Sequence, residues 1–221
     1  NTGIAAIVKD MGNREMEERI KALKFHEETG IDLPNEIRGK VGNLFDNGRD
    51  VEYVTAGYGH GISVTPIAMV RALSALASGG TLPTPRVVKH TRKNGKIIKK
   101  GTNTTGEVQR VFSKEVSDKV TEMLVKTVDE SLLGGTVAKE NYSIAAKTGT
   151  ASLVNPATKK YYDDKYLHSF FGYFPASDPQ FLVFMFTIEP EGARYASESM
   201  TKPFMRIVDN LISYYDIQPD R

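Results

Sequence analysis

Lys147-Thr148-Gly149-Thr150 places one cation, two hydroxyls and a glycine inside a run of small residues, Tyr142 to Ser152. The run reads as a strand. A cation in its middle is costly unless something anionic sits beside it. Glycine weakens a strand but lets a ligand or another backbone come close. The chemistry suggested is recognition of a negatively charged group lying along the strand. Lys-Thr-Gly alone arises by chance in roughly one chain in twenty of this length, so the fourth residue, the strand and the flanking alanines must carry the reading.

A second candidate is Ser199-Met200-Thr201-Lys202. A serine one helical turn before a lysine is a nucleophile-and-base device, because the amine can take the hydroxyl proton. About one such match is expected by chance in a chain this long. The simpler reading makes Ser199 the cap of the last helix. His26, His60, His90 and His168 fall in separate elements without ligand spacing, so no metal site is expected. Gly57, Gly59 and Gly61 match neither a dinucleotide nor a phosphate loop and read as a tight turn.

The elements that must position these residues follow from periodicity. Ile4, Ile7, Val8 and Met11 mark one face of a first helix, closed by Gly12-Asn13. Arg14 to Glu28 reads as a charged helix with apolar Met16, Ile20, Leu23 and Phe25. The segment from Tyr53 to Ile62 is expected to bend. Thr65-Pro66 opens a helix with its core face at Ile67, Val70, Leu73, Ser74 and Ala77, stopped by Gly79-Gly80. Val87 to Lys100 is a basic hairpin turning at Asn94-Gly95. It reads as a solvated ribbon before it reads as an anion-binding surface. Ser113 to Glu130 is an amphipathic helix with Val116, Val120, Leu124 and Val128 inward. Strands at 142–152, 166–175 and 180–189 form an antiparallel meander, the last buried on both faces. A final helix from about Met200 carries Phe204, Ile207, Val208, Leu211 and Ile212. The expected class is α+β, an antiparallel sheet packed with helices.

The 221 residues hold 40% hydrophobic and 25% charged residues, ordinary for a globular protein with a real core. A net charge of +2 argues against a dedicated nucleic-acid binder. With no cysteine, thiolate and disulfide chemistry are excluded. The longest apolar stretch, Phe181 to Ile188, has strand length, too short to span a bilayer. The opening Asn1-Thr2-Gly3-Ile4 runs straight into helical sequence, which suggests a piece of a longer protein.

Lys147-Thr148-Gly149-Thr150 in a strand resembles the Lys-Thr-Gly element of penicillin-binding proteins and serine β-lactamases. Further segments resemble the transpeptidase domain of class B penicillin-binding proteins. They are Thr29-Gly30-Ile31-Asp32-Leu33-Pro34, Gly57-Tyr58-Gly59-His60-Gly61 with Val64-Thr65-Pro66, Leu133-Gly134-Gly135-Thr136, Phe171-Gly172-Tyr173-Phe174-Pro175-Ala176 and Lys202-Pro203-Phe204. They keep the family's order over nearly the whole chain, and the glycine-rich segment looks closest to the division-type members. Asn1-Thr2-Gly3-Ile4 looks like the end of the family's Ser-x-Asn element.

The resemblance implies a partial penicillin-binding protein/serine β-lactamase-like fold, with residues 1–221 as the C-terminal portion of a single transpeptidase domain. It implies acyl transfer without cofactor or metal. A serine upstream of this chain attacks the D-Ala–D-Ala carbonyl of a peptidoglycan stem peptide, expels the terminal D-Ala and passes the acyl group to an amine. The family's Ser-x-x-Lys also lies upstream, so this polypeptide is expected not to form an acyl-enzyme alone. Asn1 would contact the substrate amide. Lys147 would supply charge to the substrate carboxylate and the proton relay. The Thr148 and Thr150 hydroxyls would bind that carboxylate, and Gly149 would admit the substrate as an added strand. The Thr150 N–H would serve the oxyanion hole, worth about 3 kcal/mol of barrier.

Strict alternation sends Lys147 and Gly149 to one face and Thr148 and Thr150 to the other, so the family's site requires a twisted edge strand. Tyr195, after Gly192-Ala193-Arg194, resembles an aromatic-bearing loop of the family. With Tyr161 and Tyr162 it has two readings, an apolar wall of the cleft or an ordinary surface tyrosine. Implied partners are the stem peptide, β-lactams and other cell-wall or division proteins. Nucleic acid is not among them, and a membrane enters only through an N-terminal anchor outside this chain. The implied location is the extracytoplasmic face of the bacterial cytoplasmic membrane. A D,D-carboxypeptidase or β-lactamase of the same fold stays open, as does a non-catalytic β-lactam sensor or cell-wall scaffold.

Overall fold

A computed structural model describes residues 1–46, 48–94, 96–98 and 109–221. The chain divides into two compact units, Asn1–Lys114 and Glu115–Arg221.

In the first unit, α1 (Thr2–Met11) and α2 (Asn13–Ala22) meet at Gly12, whose φ of 85° suits glycine. Of the predicted α1 face only Val8 is buried, while Ile4, Ile7 and Met11 stay exposed. The second helix stops at Ala22 instead of reaching Glu28. Lys24 turns left-handed at φ 55°, and the guanidinium of buried Arg71 takes the carbonyls of Lys24 (2.9 Å) and Glu28 (3.4 Å). Carbonyls facing a buried cation are no longer available to a helix ladder.

A third helix, α3 (Asp50–Gly57), absorbs the start of the glycine-rich segment, so the bend is confined to residues 58–61. Helix α4 (Pro66–Ala77) starts as predicted, with the Ala68 N–H donating to the Thr65 hydroxyl (3.3 Å). Its buried face is Ala68, Arg71, Ala72 and Ala75, and the predicted stripe is only half-buried. The rotation follows from Arg71, which must turn inward to reach its carbonyls. The hairpin pairs β1 (Thr91–Lys93) with β2 (Lys96–Ile98), and Asn94 has a φ of 51°. Gly95, Lys99 and Lys100 of that predicted hairpin lie outside the described residues.

The second unit begins within α5 (Lys114–Lys126), which runs into a π-helical turn at Thr127–Ser131. Its inward stripe is Ser117, Leu124 and Val128, whereas Val116 is exposed, contrary to expectation. The stripe is set by Thr121, whose hydroxyl meets that of buried Tyr173 at 2.6 Å. Three strands follow, β3 (Ala145–Val154), β4 (Tyr161–Phe174) and β5 (Phe181–Ile188). They form the predicted antiparallel meander in the order β3-β4-β5. Strand β5 is not buried on both faces. It lies at a sheet margin, half-buried along its length, with Phe186 and Ile188 exposed.

Helix α6 (Ala196–Tyr215) covers one face of the sheet. Phe204 stacks on Phe170 with ring centroids 4.4 Å apart, and both are fully buried. Burying each such ring contributes roughly 1.5–3 kcal/mol. Gly172 makes the contact possible: a Cβ there would come within 2.5 Å of Phe204 Cζ and 2.8 Å of Ala146 Cβ. The register therefore assigns faces. Ala146, Thr148 and Thr150 pair with Gly172, Phe170 and His168 on the α6 side. Lys147 and Gly149 pair with Phe171 and Ser169 on the other side, shared with Tyr173.

The entry to β3 is held by Asp220. Its carboxylate accepts from the Ser143 N–H (2.7 Å), the Ser143 hydroxyl and the Ser177 hydroxyl (2.7 Å). Arg221 clasps Asp129 through both terminal guanidinium nitrogens (2.5 and 2.9 Å). Burial pushes the Asp220 carboxyl up, but the hydrogen bonds from Ser143 and Ser177 outweigh it and hold the group below its usual value. The folded state thus keeps the charge to lower pH than the unfolded state. Its contribution is complete above the unfolded pKa of about 4 and is lost as pH falls through the lower folded value. Asp220→Ala is expected to cost about 1–3 kcal/mol at neutral pH. In urea titrations the difference from wild type should shrink on acidification below pH about 4. A difference that is constant with pH would contradict the assignment.

Candidate active site

Strand β3 presents the tetrad at a sheet margin, since among the described residues no strand pairs with its second edge. Lys147 is exposed and lies along the strand, its ammonium donating to the Thr148 carbonyl (2.8 Å). A solvated ammonium here costs little to keep charged, and it can turn to an arriving anion. Thr148 is half-buried on the α6 face.

The Thr150 hydroxyl accepts from the N–H of Ala196 (3.0 Å), the first residue of α6. An oxygen that accepts in this way still has its own O–H to give. Gly149 faces Ser169, and a Cβ at 149 would meet Ser169 Oγ at 2.5 Å. A side chain at 149 would therefore oblige the Ser169 hydroxyl to rotate away.

Tyr195 joins this group because α6 begins four residues earlier than the periodicity suggests. It is the residue before the helix, 53% exposed, with the Arg194 guanidinium over its ring at 5.6 Å. The carboxylate of Glu198 accepts from the N–H groups of Arg194 (2.9 Å) and Tyr195 (3.0 Å), satisfying donors that a helix start leaves open. Ser199 is therefore not the helix cap. Its hydroxyl instead meets Nδ1 of the buried His168 at 2.7 Å, while His168 Nε2 lies 3.1 Å from the Arg194 carbonyl. Sequence reasoning missed this pair because the partners are 31 and 26 residues apart. The one local signal was a histidine in the middle of an apolar strand.

Tyr161 and Tyr162 stand at the far end of the hairpin. Tyr161 pairs with Val154, seven residues along β4 from His168, which pairs with Thr150. The ladder slips between Ser152 and Val154, so along β3 Tyr161 stands only four residues, about 13 Å, beyond the tetrad's end. Tyr162 lies under the Lys165 ammonium at 5.0 Å. Asn1 belongs to the first unit, immediately before α1, where its side chain makes no capping hydrogen bond and its carbonyl accepts from Ala5 (2.9 Å). The structure brings together Lys147, Thr148, Gly149, Thr150 and Tyr195 within the second unit. Among the described residues no cluster of three or more His, Cys, Asp or Glu could hold a metal ion. No helix among them is long and apolar enough to cross a membrane.

This edge strand, with its cation and hydroxyls under a helix start, matches a known domain. The model of the penicillin-binding protein transpeptidase domain fits residues 1–210, and the chain belongs to that family. Stage V sporulation protein D of Bacillus subtilis is 33% identical over 221 residues, covering 96% of this chain and 32% of that protein. Peptidoglycan D,D-transpeptidase FtsI of Buchnera aphidicola is 27% identical over 223 residues, covering all of this chain and 37% of that protein. The crystal structure of penicillin-binding protein 3 of Mycobacterium tuberculosis complexed with aztreonam superposes with a TM-score of 0.85 at 24% identity. That match covers 99% of this chain and 50% of the other. The likeness establishes a shared α+β fold. The chain spans about a third of the length of the curated relatives it matches.

The contact at Gly149 yields a test. Gly149→Ala should destabilise by about 1 kcal/mol, because Ser169 must give up its rotamer. The double variant Gly149→Ala/Ser169→Ala should recover most of that loss in thermal melts. A double variant no more stable than Gly149→Ala would show that the Ser169 hydroxyl is not the obstacle.

Proposed function

We propose that residues 1–221 are the C-terminal portion of a single transpeptidase domain in a peptidoglycan D,D-transpeptidase. The observation that carries this reading is the Lys147–Thr150 edge strand, with the Thr150 hydroxyl fastened under the first residue of α6. Family membership supports it, as do relatives named for this activity.

The reaction is acyl transfer through a serine acyl-enzyme. A serine hydroxyl supplied by a preceding segment of the protein adds to the penultimate D-Ala carbonyl, and its proton passes to a base. The tetrahedral intermediate expels the terminal D-Ala as a protonated amine. An amine of a neighbouring stem peptide then displaces the serine. The share of this chain is recognition and electrostatics. The Lys147 ammonium attracts the substrate's terminal carboxylate, and the Thr148 and Thr150 hydroxyls donate to it. The Thr150 N–H is one of the two donors to the oxyanion, in a site where such a donor is worth about 3 kcal/mol. The substrate backbone lies along β3 as an added strand, and Gly149 keeps that approach open. Tyr195 forms an apolar wall. Ser199 is not taken as the nucleophile, since Ser199 to Lys202 follows the tetrad in the chain, on α6, whereas the family's Ser-x-x-Lys precedes it.

The same carboxylate and carbonyl pattern occurs in β-lactams, which makes them acylating inhibitors here. The substrate places the domain on the extracytoplasmic side of the bacterial cytoplasmic membrane, beside other cell-wall enzymes. Labelling the full-length protein with a fluorescent penicillin tests the reading. Lys147→Ala should lower the labelling rate by about 10²-fold or more. Labelling that survives the substitution would sink the site assignment. Labelling without D-Ala release from a stem-peptide substrate would favour a sensor.

A further inference from the structure

His168 is fully buried (0% exposed) in the middle of β4, opposite Thr150 in the β3–β4 ladder. Both its ring nitrogens have partners, Nε2 the Arg194 carbonyl at 3.1 Å and Nδ1 the Ser199 hydroxyl at 2.7 Å. A carbonyl can only accept, so Nε2 carries the hydrogen. A neutral imidazole then has its lone pair at Nδ1, and the Ser199 O–H donates to it. The Arg194 carbonyl thus selects the tautomer, and the Ser199 hydroxyl, able to donate or accept, complements it. A ring with both nitrogens bonded and no exposed surface does not exchange protons with a substrate. Its influence runs through what it holds.

It holds the turn 194–196. Within three residues this turn has polar anchors from three directions. The His168 ring takes the Arg194 carbonyl, the Glu198 carboxylate takes the N–H groups of Arg194 and Tyr195, and the Thr150 hydroxyl takes the N–H of Ala196. His168 and Thr150 face each other across the ladder, so the turn is fastened to the strand pair at the end of the tetrad. Tyr195 sits between the fastened residues and is half-exposed. With Ala196 donating to Thr150 Oγ1, the Thr150 O–H must point elsewhere.

We propose that His168 is a positioning residue for ligand recognition. By holding the Arg194 carbonyl it sets Tyr195 beside Thr150 and keeps the Thr150 O–H directed at the carboxylate of a bound β-lactam or acyl-D-Ala–D-Ala peptide. The ligand role rests on the transpeptidase reading of the tetrad. The holding role stands on the hydrogen bonds alone.

Two substitutions separate the ring's nitrogens. The amide nitrogen of His168→Gln reaches the place of Nε2 and can still donate to Arg194. The shorter His168→Asn reaches only the place of Nδ1. In the full-length protein, His168→Asn should speed amide hydrogen exchange over residues 192–196 about tenfold, the equivalent of one lost hydrogen bond, and leave β3–β4 protected. With benzylpenicillin it should weaken the reversible binding constant about tenfold, while the acylation rate constant stays within about threefold. His168→Gln should recover both quantities, and Ser199→Ala should fall between the two. Unchanged exchange at 192–196 in His168→Asn would overturn the proposal. So would equal behaviour of the two variants, or a loss confined to the acylation step. A wild-type protein that is not acylated at all would overturn the transpeptidase reading and the ligand role together. The exchange comparison would still report whether His168 holds the turn.

Discussion

A strand that receives a ligand along its edge has to keep that edge unpaired, and an unpaired edge is where a sheet frays or meets the wrong partner. Among the described residues β3 is paired on one side only, by β4. Its other supports are not strands. At its start, Asp220 takes the Ser143 backbone and hydroxyl. Just inside it, Ala146 lies in the core beneath α6. At the tetrad's end, Thr150 takes the first N–H of α6. Each support acts from a face or an end, so rigidity is gained without covering the edge.

The same constraint explains the residue sizes. Helix α6 can come close only because Gly172 and Ala146 offer no bulk beneath Phe204. That closeness brings the start of α6 to the level of Thr150. Gly149 serves the opposite face, where the Ser169 hydroxyl occupies the place a Cβ would take. Lys147 is on that face and exposed, so its charge is kept without a buried counter-ion. Charge, hydroxyls and close backbone approach thus share a few residues because the strand is thin on both faces and open on one edge.

Where local periodicity was strong, the elements were legible. The meander, the helix opening at Thr65-Pro66 and the Asn94 turn need only neighbours in sequence. Where a distant polar group intervened, periodicity misled. Arg71 turned the face of α4 inward and took the carbonyls that would have prolonged α2. Tyr173 likewise selected Thr121 and its stripe over Val116 on α5. Glu198 moved the start of α6 back to Ala196, which placed Tyr195 next to the residue that meets Thr150 and took Ser199 away from the cap.

The tetrad Lys147 to Thr150, its strand and the family were readable from residue types and order alone, because they depend on chemistry contiguous in the chain. The tertiary structure decided that β3 is an edge among the described residues, and that Thr150 meets the start of α6, which brings the backbone of Tyr195 closer to it than Tyr161. It also decided that buried His168 and half-buried Ser199 form a pair and not two unrelated polar residues. The physical reason is the same in each case. Hydrogen bonds and close packing join groups tens of residues apart, and nothing in a local window states which distant donor will satisfy which buried acceptor.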